Sequence, residues 1–327
     1  MNRLLRRFVP VLLIAIALYG AFVVWSGYDD IRESLSAFRP IMLLWALGCA
    51  TANYALRLVK WEFYLWRLGI RGVGKLDSAL VFLSGFAFTL TPGKVGEVFK
   101  SAVLLQTHRI PVARTAPIVI AERLTDVIGV VLLIALGSLG FDGGLMWAIL
   151  GALCVALAIA LILWRRPLEA LVGIVSRGPE RVRRLAPKLK EAVDTLWLVA
   201  GPASLAVPSV LSLIAWGLEG VALHLVLVGF GAESSLALAV FFYSTATLAG
   251  ALIPVPGGLG VTESMLQQQI VRLGGVAMGV ATSGMLLTRL ATLWWAVILG
   301  FVALGWLKLR HPCLLAADDG KAAQLST

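Results

Sequence analysis

The sequence predicts an all-α polytopic membrane protein: about six full transmembrane helices plus two re-entrant helical hairpins, arranged as an inverted repeat. Three observations carry that expectation: the hydropathy of the chain, the placement of its basic residues, and a Pro-Gly break that occurs twice. Of 327 residues 59% are hydrophobic and 14% charged, with a mean hydropathy of +0.91, which leaves too little charge to cover a soluble surface. Several apolar runs reach the roughly 20 residues needed to cross about 30 Å of hydrocarbon. Inside a bilayer each run must satisfy its own backbone polar groups, so these runs read as helices.

Full spans are expected at 8–25, 41–59, 113–140, 144–164, 204–230 and 278–307. The first follows Arg3, Arg6 and Arg7 and reads as a retained signal anchor; Asp29, Asp30 and Glu33 follow it on the outer side. Arg67, Arg71 and Lys75, then Arg109 and Arg114, then Arg165 and Arg166, and finally Lys308 and Arg310 fall on the opposite side. By the positive-inside rule this gives a multi-pass protein of the plasma (inner) membrane with both termini cytoplasmic. Arg57, Lys60 and Glu62 are expected at the inner interface beside Trp61 and Trp66. The net charge of +10 sits in these short connections. No basic stripe interleaved with aromatics occurs, so nucleic acid is not an expected partner. Cys49, Cys154 and Cys313 lack metal-ligand spacing and read as inert apolar residues.

The resulting organisation is a first membrane half at 1–164, a basic linker at 165–200, a second half at 201–310 and a cytoplasmic tail at 311–327. In the linker Val182, Leu185, Leu189, Val193, Leu196 and Trp197 recur at helical spacing opposite basic residues, which suits an amphipathic helix on the inner leaflet.

Two apolar stretches are too short to span: one hairpin near 77–106 and one near 236–273. Their breaks match. Pro92-Gly93-x-x-Gly96 recurs 164 residues on as Pro256-Gly257-x-x-Gly260, Glu97 recurs 166 residues on as Glu263, and Arg123-Leu124 recurs 166 residues on as Arg289-Leu290. The spans after the two breaks run in opposite directions, so the repeat is inverted, the architecture of alternating-access transporters. Proline ends the first half-helix and glycine permits a tight turn. The second half-helix then starts near the membrane centre with free N–H groups, a suitable place for an anion such as phosphate. Lys94 and Gly258 belong to the same tips. Alternatively the breaks shape packing only, and Glu97 and Glu263 complement first-turn dipoles.

Ionisable residues deep in a span are costly and point to function. Glu122, Arg123 and Asp126 lie roughly 14–20 Å into the third span, at 1.5 Å per residue. Arg123 and Asp126 are close enough to pair locally. Glu122 and Asp126 share a face, where one could titrate or meet a cation. Arg289 has no acidic neighbour in its own span and needs a partner across the bundle or an anionic ligand. Lys100 is either a headgroup contact or a snorkelling residue, and Glu219 is a secondary candidate within the fifth span, ahead of His224.

These residues resemble the flippase-like family named for the membrane region of lysylphosphatidylglycerol synthases. The matching pieces are Arg57-x-x-Lys60-Trp61, Thr91-Pro92-Gly93-Lys94-x-Gly96-Glu97, Glu122-Arg123-x-x-Asp126 and Pro254-x-Pro256-Gly257-Gly258-x-Gly260-x-x-Glu263, spread from about residue 40 to 305. Lys60 stands where an arginine is commoner in the family. The resemblance implies movement of an anionic or aminoacylated phospholipid, or a lipid-linked intermediate, between leaflets. Membrane lipids would be the partners, and a lipid-synthesising enzyme is a candidate protein partner. The chain stops soon after the sixth span, so the synthase activity is not carried over. No catalytic residue, metal or cofactor is assigned. A secondary transporter of a small anionic solute and a membrane enzyme acting on lipid-linked substrates are the competing readings.

Overall fold

A computed structural model describes residues 20, 28–90, 98–139, 146, 149–153, 156–157, 160, 165–177, 179–183, 186–253, 255–312 and 314. The expected span at 8–25 apart from residue 20, much of that at 144–164, and Pro92, Gly93, Lys94, Gly96 and Glu97 lie outside these residues. Among the described residues every regular element is helical. In chain order they are α1 (Tyr28–Ser36), α2 (Pro40–Arg67), α3 (Lys75–Ser84) with a 3-10 turn at Gly85–Phe88, α4 (Phe99–His108) and α5 (Val112–Ser138). There follow α6 (Arg165–Arg177), α7 (Glu180–Arg183), α8 (Ala186–Ala200), α9 (Pro202–Gly229), α10 (Leu236–Leu252), α11 (Val261–Arg272), α12 (Met278–Arg289) and α13 (Trp295–Arg310), the last two joined by a π-helical segment, Leu290–Trp294.

Among the described residues three helical stretches are long and apolar enough to cross a membrane: Pro40–Arg67, Ser204–Gly229 and Met278–Arg310. Pro40 occupies the first helical turn of α2, where its missing N–H costs nothing. The helix runs on to Arg67, past the expected end at residue 59, because Lys60, Trp61, Tyr64 and Leu65 turn inward and are buried. Arg57 and Lys60 are therefore not interface residues, contrary to the expectation from charge placement. Helix α5 has 27 residues and length to spare, but Glu122, Arg123 and Asp126 interrupt its apolar surface. The linker is divided among α6, α7 and α8, and α8 lies against α5, with Leu196 packed on Leu124, Ile128 and Leu205.

Helix α9 is the central element, packed against α2, α5 and α10. Asn53 Nδ2 of α2 donates to the Ala215 carbonyl of α9 at 2.7 Å. The short helices exchange partners: α3 and its 3-10 turn pack on α13, and α10 packs on α5. Both contacts need a glycine on the long helix. A Cβ at Gly137 would sit 2.8 Å from the Ala237 carbonyl oxygen, and one at Gly300 would sit 2.2 Å from the Ala87 nitrogen. At one end of the bundle Arg310 Nε donates to Asp77 Oδ1 at 2.7 Å, and His311 Nε2 lies 3.4 Å from Asp77 Oδ2, fastening α13 to the start of α3.

Because backbone stands where a Gly300 side chain would go, Gly300→Ala should destabilise the bundle by about 1–3 kcal/mol. Thermal unfolding of the detergent-solubilised protein should show this, while Gly305→Ala, which meets open space, leaves the transition in place.

Candidate functional site

The interior of the bundle is held by charge. Asp126 on α5 receives a hydrogen bond from Lys60 Nζ at 2.6 Å and another from Ser212 Oγ at 3.0 Å, which bring α2 and α9 to the same carboxylate. Lys60 is 0% exposed and also donates to Ser212 Oγ and to Thr125 Oγ1, so its ammonium donors are used within the protein. Arg123 Nη2 lies 3.0 Å from Asp126 Oδ2, the local pair anticipated from spacing, and Arg57 Nη2 lies 3.9 Å from the same oxygen. The Arg57 guanidinium sits over the rings of Phe86 and Trp216, a cation–π setting that also holds its position.

One turn away on α5, Glu122 accepts from Lys100 Nζ of α4 at 2.7 Å. Lys100 is buried, with its ammonium 4.8 Å from the Trp61 ring centroid and 5.1 Å from that of Phe82, so it does not snorkel to an interface. Both carboxylates of α5 thus have cationic partners supplied by the protein.

The second tip is built on glycine. Gly257, Gly258 and Gly260 have φ of +62°, +68° and +83°, values that side-chain-bearing residues rarely adopt. This turn aims the Gly257 carbonyl at Arg289, whose Nη2 donates to it at 3.1 Å. Arg289 Nε donates to Glu263 Oε1 at 2.6 Å, so Glu263 is its partner across the bundle. Glu263 Oε2 in turn accepts the Gly260 N–H at 2.7 Å. The start of α11 is therefore capped by its own carboxylate, and the expectation of a vacant N–H cradle there does not hold for Gly260. Immediately after Arg289 the chain widens into the π segment, a feature frequent at functional sites. The Tyr54 hydroxyl donates to the Thr292 carbonyl within it.

Two adjoining cavities open around this frame. The inner one, about 80 Å³, is lined by Tyr54, Arg57, Glu219, Tyr243, Arg289 and the tip glycines Gly257 and Gly258, among others. The outer one, about 290 Å³, carries Arg123 and Asp126 on one wall and Val127, Val130, Leu248, Ile253 and Val255 on the rest. Trp216, Thr247, Gly250, Ala251, Gly257 and Gly258 line both. Of the residues singled out from sequence, Arg123, Asp126, Glu219, Gly257, Gly258 and Arg289 face these cavities. Glu122, Pro256, Gly260 and Glu263 are not among the lining residues; Glu122, Gly260 and Glu263 act one layer behind, through the contacts above. Tyr54, Trp216 and Tyr243 were not singled out from sequence, and Arg57, named in Arg57-x-x-Lys60-Trp61, was expected at the inner interface and not at a cavity. Arg57 carried a signal, since it stands three residues before Lys60 on the same helical face, but the basic residues that follow masked it. Among the described residues no group of three or more His, Cys, Asp or Glu side chains is placed to hold a metal ion.

The Lys100–Glu122 pair offers a direct check of these energetics. Removing one partner of a buried pair leaves an uncompensated charge, at about 3–5 kcal/mol, whereas removing both is far cheaper. Lys100→Met should lower thermal stability by that amount, and Lys100→Met with Glu122→Gln should regain most of it.

Comparison with known proteins finds related membrane proteins. The chain is 26% identical over 320 residues to a UPF0104 membrane protein of Methanothermobacter thermautotrophicus, covering 88% of this chain and 90% of the relative. A second UPF0104 membrane protein of that organism is 25% identical over 90% of this chain and 94% of its own length. A UPF0104 membrane protein of Pyrococcus horikoshii is 25% identical over 94% of this chain and 98% of its own. The sequence model of the lysylphosphatidylglycerol synthase TM region matches residues 12–300. That match takes in every buried charged residue among those described, and the chain belongs to the lysylphosphatidylglycerol synthase TM region family of integral membrane proteins.

Proposed function

We propose that this protein is a lipid flippase, moving a phospholipid or lipid-linked intermediate with an anionic headgroup between the leaflets of the inner membrane. The observation that carries the reading is the pair of adjoining cavities. The inner one presents Arg57 and Arg289 beside hydroxyl and backbone groups, and the outer one is mostly aliphatic with Arg123 at its wall. Arginines beside an aliphatic wall suit an amphiphile: the phosphate would be met by guanidinium groups, which suit its oxygens, and the adjoining chain by valine, leucine and isoleucine, with the Asp126 carboxylate already occupied by Lys60 and Arg123. Ile253 at the outer cavity is 46% exposed, which gives a lipid chain a way to the surface of the bundle.

In this reading the chain crosses the membrane about six times with both termini cytoplasmic, and the two hairpins enter from opposite faces. The matched Pro-Gly breaks and the exchanged packing of α3 on α13 and α10 on α5 support that arrangement. Alternating access would come from one half rocking against the other about the shared site. Aminoacylated phosphatidylglycerol is one headgroup class the family suggests; Glu219 on the cavity wall would meet its ammonium.

The test is translocation of headgroup-labelled lipids in liposomes containing the purified protein. Wild type should move an anionic phospholipid, Arg57→Ala and Arg289→Ala should each lower the rate at least about tenfold, and Arg289→Lys should recover part of it. Failure of wild type to move any anionic lipid, with uptake of a soluble anion instead, would replace this reading with a small-anion carrier.

A further inference from the structure

We propose that Asp77, His108 and His311 form a proton-operated clasp, which ties α3, α4 and α13 together as the pH falls and so slows motion between the two membrane halves. The clasp stands on contacts among these residues; its effect on transport rests on the flippase reading above.

The cluster lies apart from the cavities, where three helix ends meet. Asp77 stands in the first turn of α3, His108 is the last residue of α4, and His311 follows α13. Helices α3 and α4 lead to and from the first Pro-Gly break, whereas α13 belongs to the second half of the chain. Motion of one half against the other therefore works against these contacts.

Asp77 Oδ1 accepts from Arg310 Nε at 2.7 Å, but the other oxygen is less well served. His311 Nε2 lies 3.4 Å from Oδ2 without hydrogen-bonding to it, and His108 Nε2 lies 4.0 Å away, beyond hydrogen-bond reach. The cause is visible at His108. Its Nδ1 lies 2.7 Å from Thr107 Oγ1, and the Thr107 hydroxyl donates to the Val103 carbonyl at 2.8 Å. A hydroxyl has one hydrogen, so both contacts are hydrogen bonds only when Nδ1 carries the ring proton and donates. The neutral ring then turns a bare Nε2 toward a carboxylate oxygen, acceptor against acceptor. One proton on Nε2 converts this into a short, charge-assisted hydrogen bond. Closing the gap from 4.0 Å draws the end of α4 onto the start of α3.

The surrounding groups set when the proton arrives. The His108 and Asp77 side chains are 15% and 14% exposed, so water screens them little. Burial holds His108 below the ordinary histidine range; Asp77 pulls it up, and His311, its ring 5.8 Å away, pushes it down. Among the other charges of the packed elements, Arg310 occupies the far oxygen of Asp77, Lys75 turns to Glu62, Arg114 is held at the Leu68 carbonyl and Lys100 pairs with Glu122. Arg109 follows His108 directly, and Lys308 stands three residues before His311. His108 is thus neutral at neutral pH and becomes a donor in acid.

Nitrogen NMR of the histidine-labelled full-length protein in lipid nanodiscs tests this, since the chain has three histidines and His108→Gln, His224→Gln and His311→Gln assign their signals. At about pH 7.5 His108 should be the Nδ1–H tautomer, gaining its second proton in mildly acid solution. Asp77→Asn should move that titration to lower pH, and His311→Gln to higher pH. In liposomes, lipid movement should be on the order of tenfold slower at about pH 5.5 than at about pH 7.5. His108→Gln should keep the wild-type rate at the higher pH and lose most of the slowing. A neutral His108 protonated at Nε2, or a titration that neither Asp77→Asn nor His311→Gln moves, overturns the clasp. Slowing undiminished in His108→Gln overturns its hold on transport. Absence of lipid movement overturns the flippase reading and leaves the clasp to be decided by the titration. The wild-type tautomer and the His311→Gln titration decide even if Asp77→Asn does not fold.

Discussion

The constraint on which this structure depends is the cost of a charge away from water. An ionised side chain in the interior of an apolar bundle is tolerated only when its partner is built in. Asp126 shows how far that requirement reaches. Its carboxylate gathers Lys60 from α2, Ser212 from α9 and Arg123 from its own helix, and Arg57 stands one contact further out. Three helices that share no sequence neighbourhood are thereby set in register. Apolar packing alone would not do this, since leucine against leucine inside a membrane gains little over leucine against lipid.

The same economy explains where the backbone departs from regular helix. The tip between α10 and α11 needs three glycines in the left-handed region, and it turns a carbonyl toward Arg289 and an N–H toward Glu263. The widened turn at Leu290–Trp294 offers a carbonyl that Tyr54 satisfies. Each irregular stretch is thus answered by a side chain from another element, the condition under which non-helical backbone survives at membrane depth. Gly137 and Gly300 serve the complementary need, letting two backbones approach where the short helices meet the long ones.

Pairing so many charges within the protein restricts what is left for a ligand. Glu122 and Lys100 are committed to each other, and Glu263 to Arg289 and the Gly260 N–H. What faces the cavities is the remainder of these networks: the outer edges of Arg57, Arg123 and Arg289, the Glu219 carboxyl, and a set of phenols and hydroxyls. In the proposed flippase reading such a site would be preorganised, since its guanidinium groups are already oriented by the carboxylates behind them.

The sequence by itself determined that this is a helical membrane protein, because hydropathy depends only on composition along the chain. It also pointed to the family, and it singled out Arg123, Asp126, the tip glycines and Arg289, because a charge or a Pro-Gly break inside an apolar run is visible without coordinates. It placed the ends of α5 and α9 within a few residues, where the apolar run and the helix coincide. It misplaced the end of α2, since the inward turn of Arg57 and Lys60 is decided by Asp126, more than sixty residues away. Which cation meets which carboxylate was likewise settled by tertiary structure: Arg289 reaches Glu263 from a different helix, and Lys100 reaches Glu122 across the α4–α5 turn. So was the cavity, whose Tyr54, Trp216 and Tyr243 are ordinary aromatic residues in sequence and become its walls only where helices distant along the chain converge. Pairwise electrostatics falls off over ångströms, and sequence does not measure ångströms between helices.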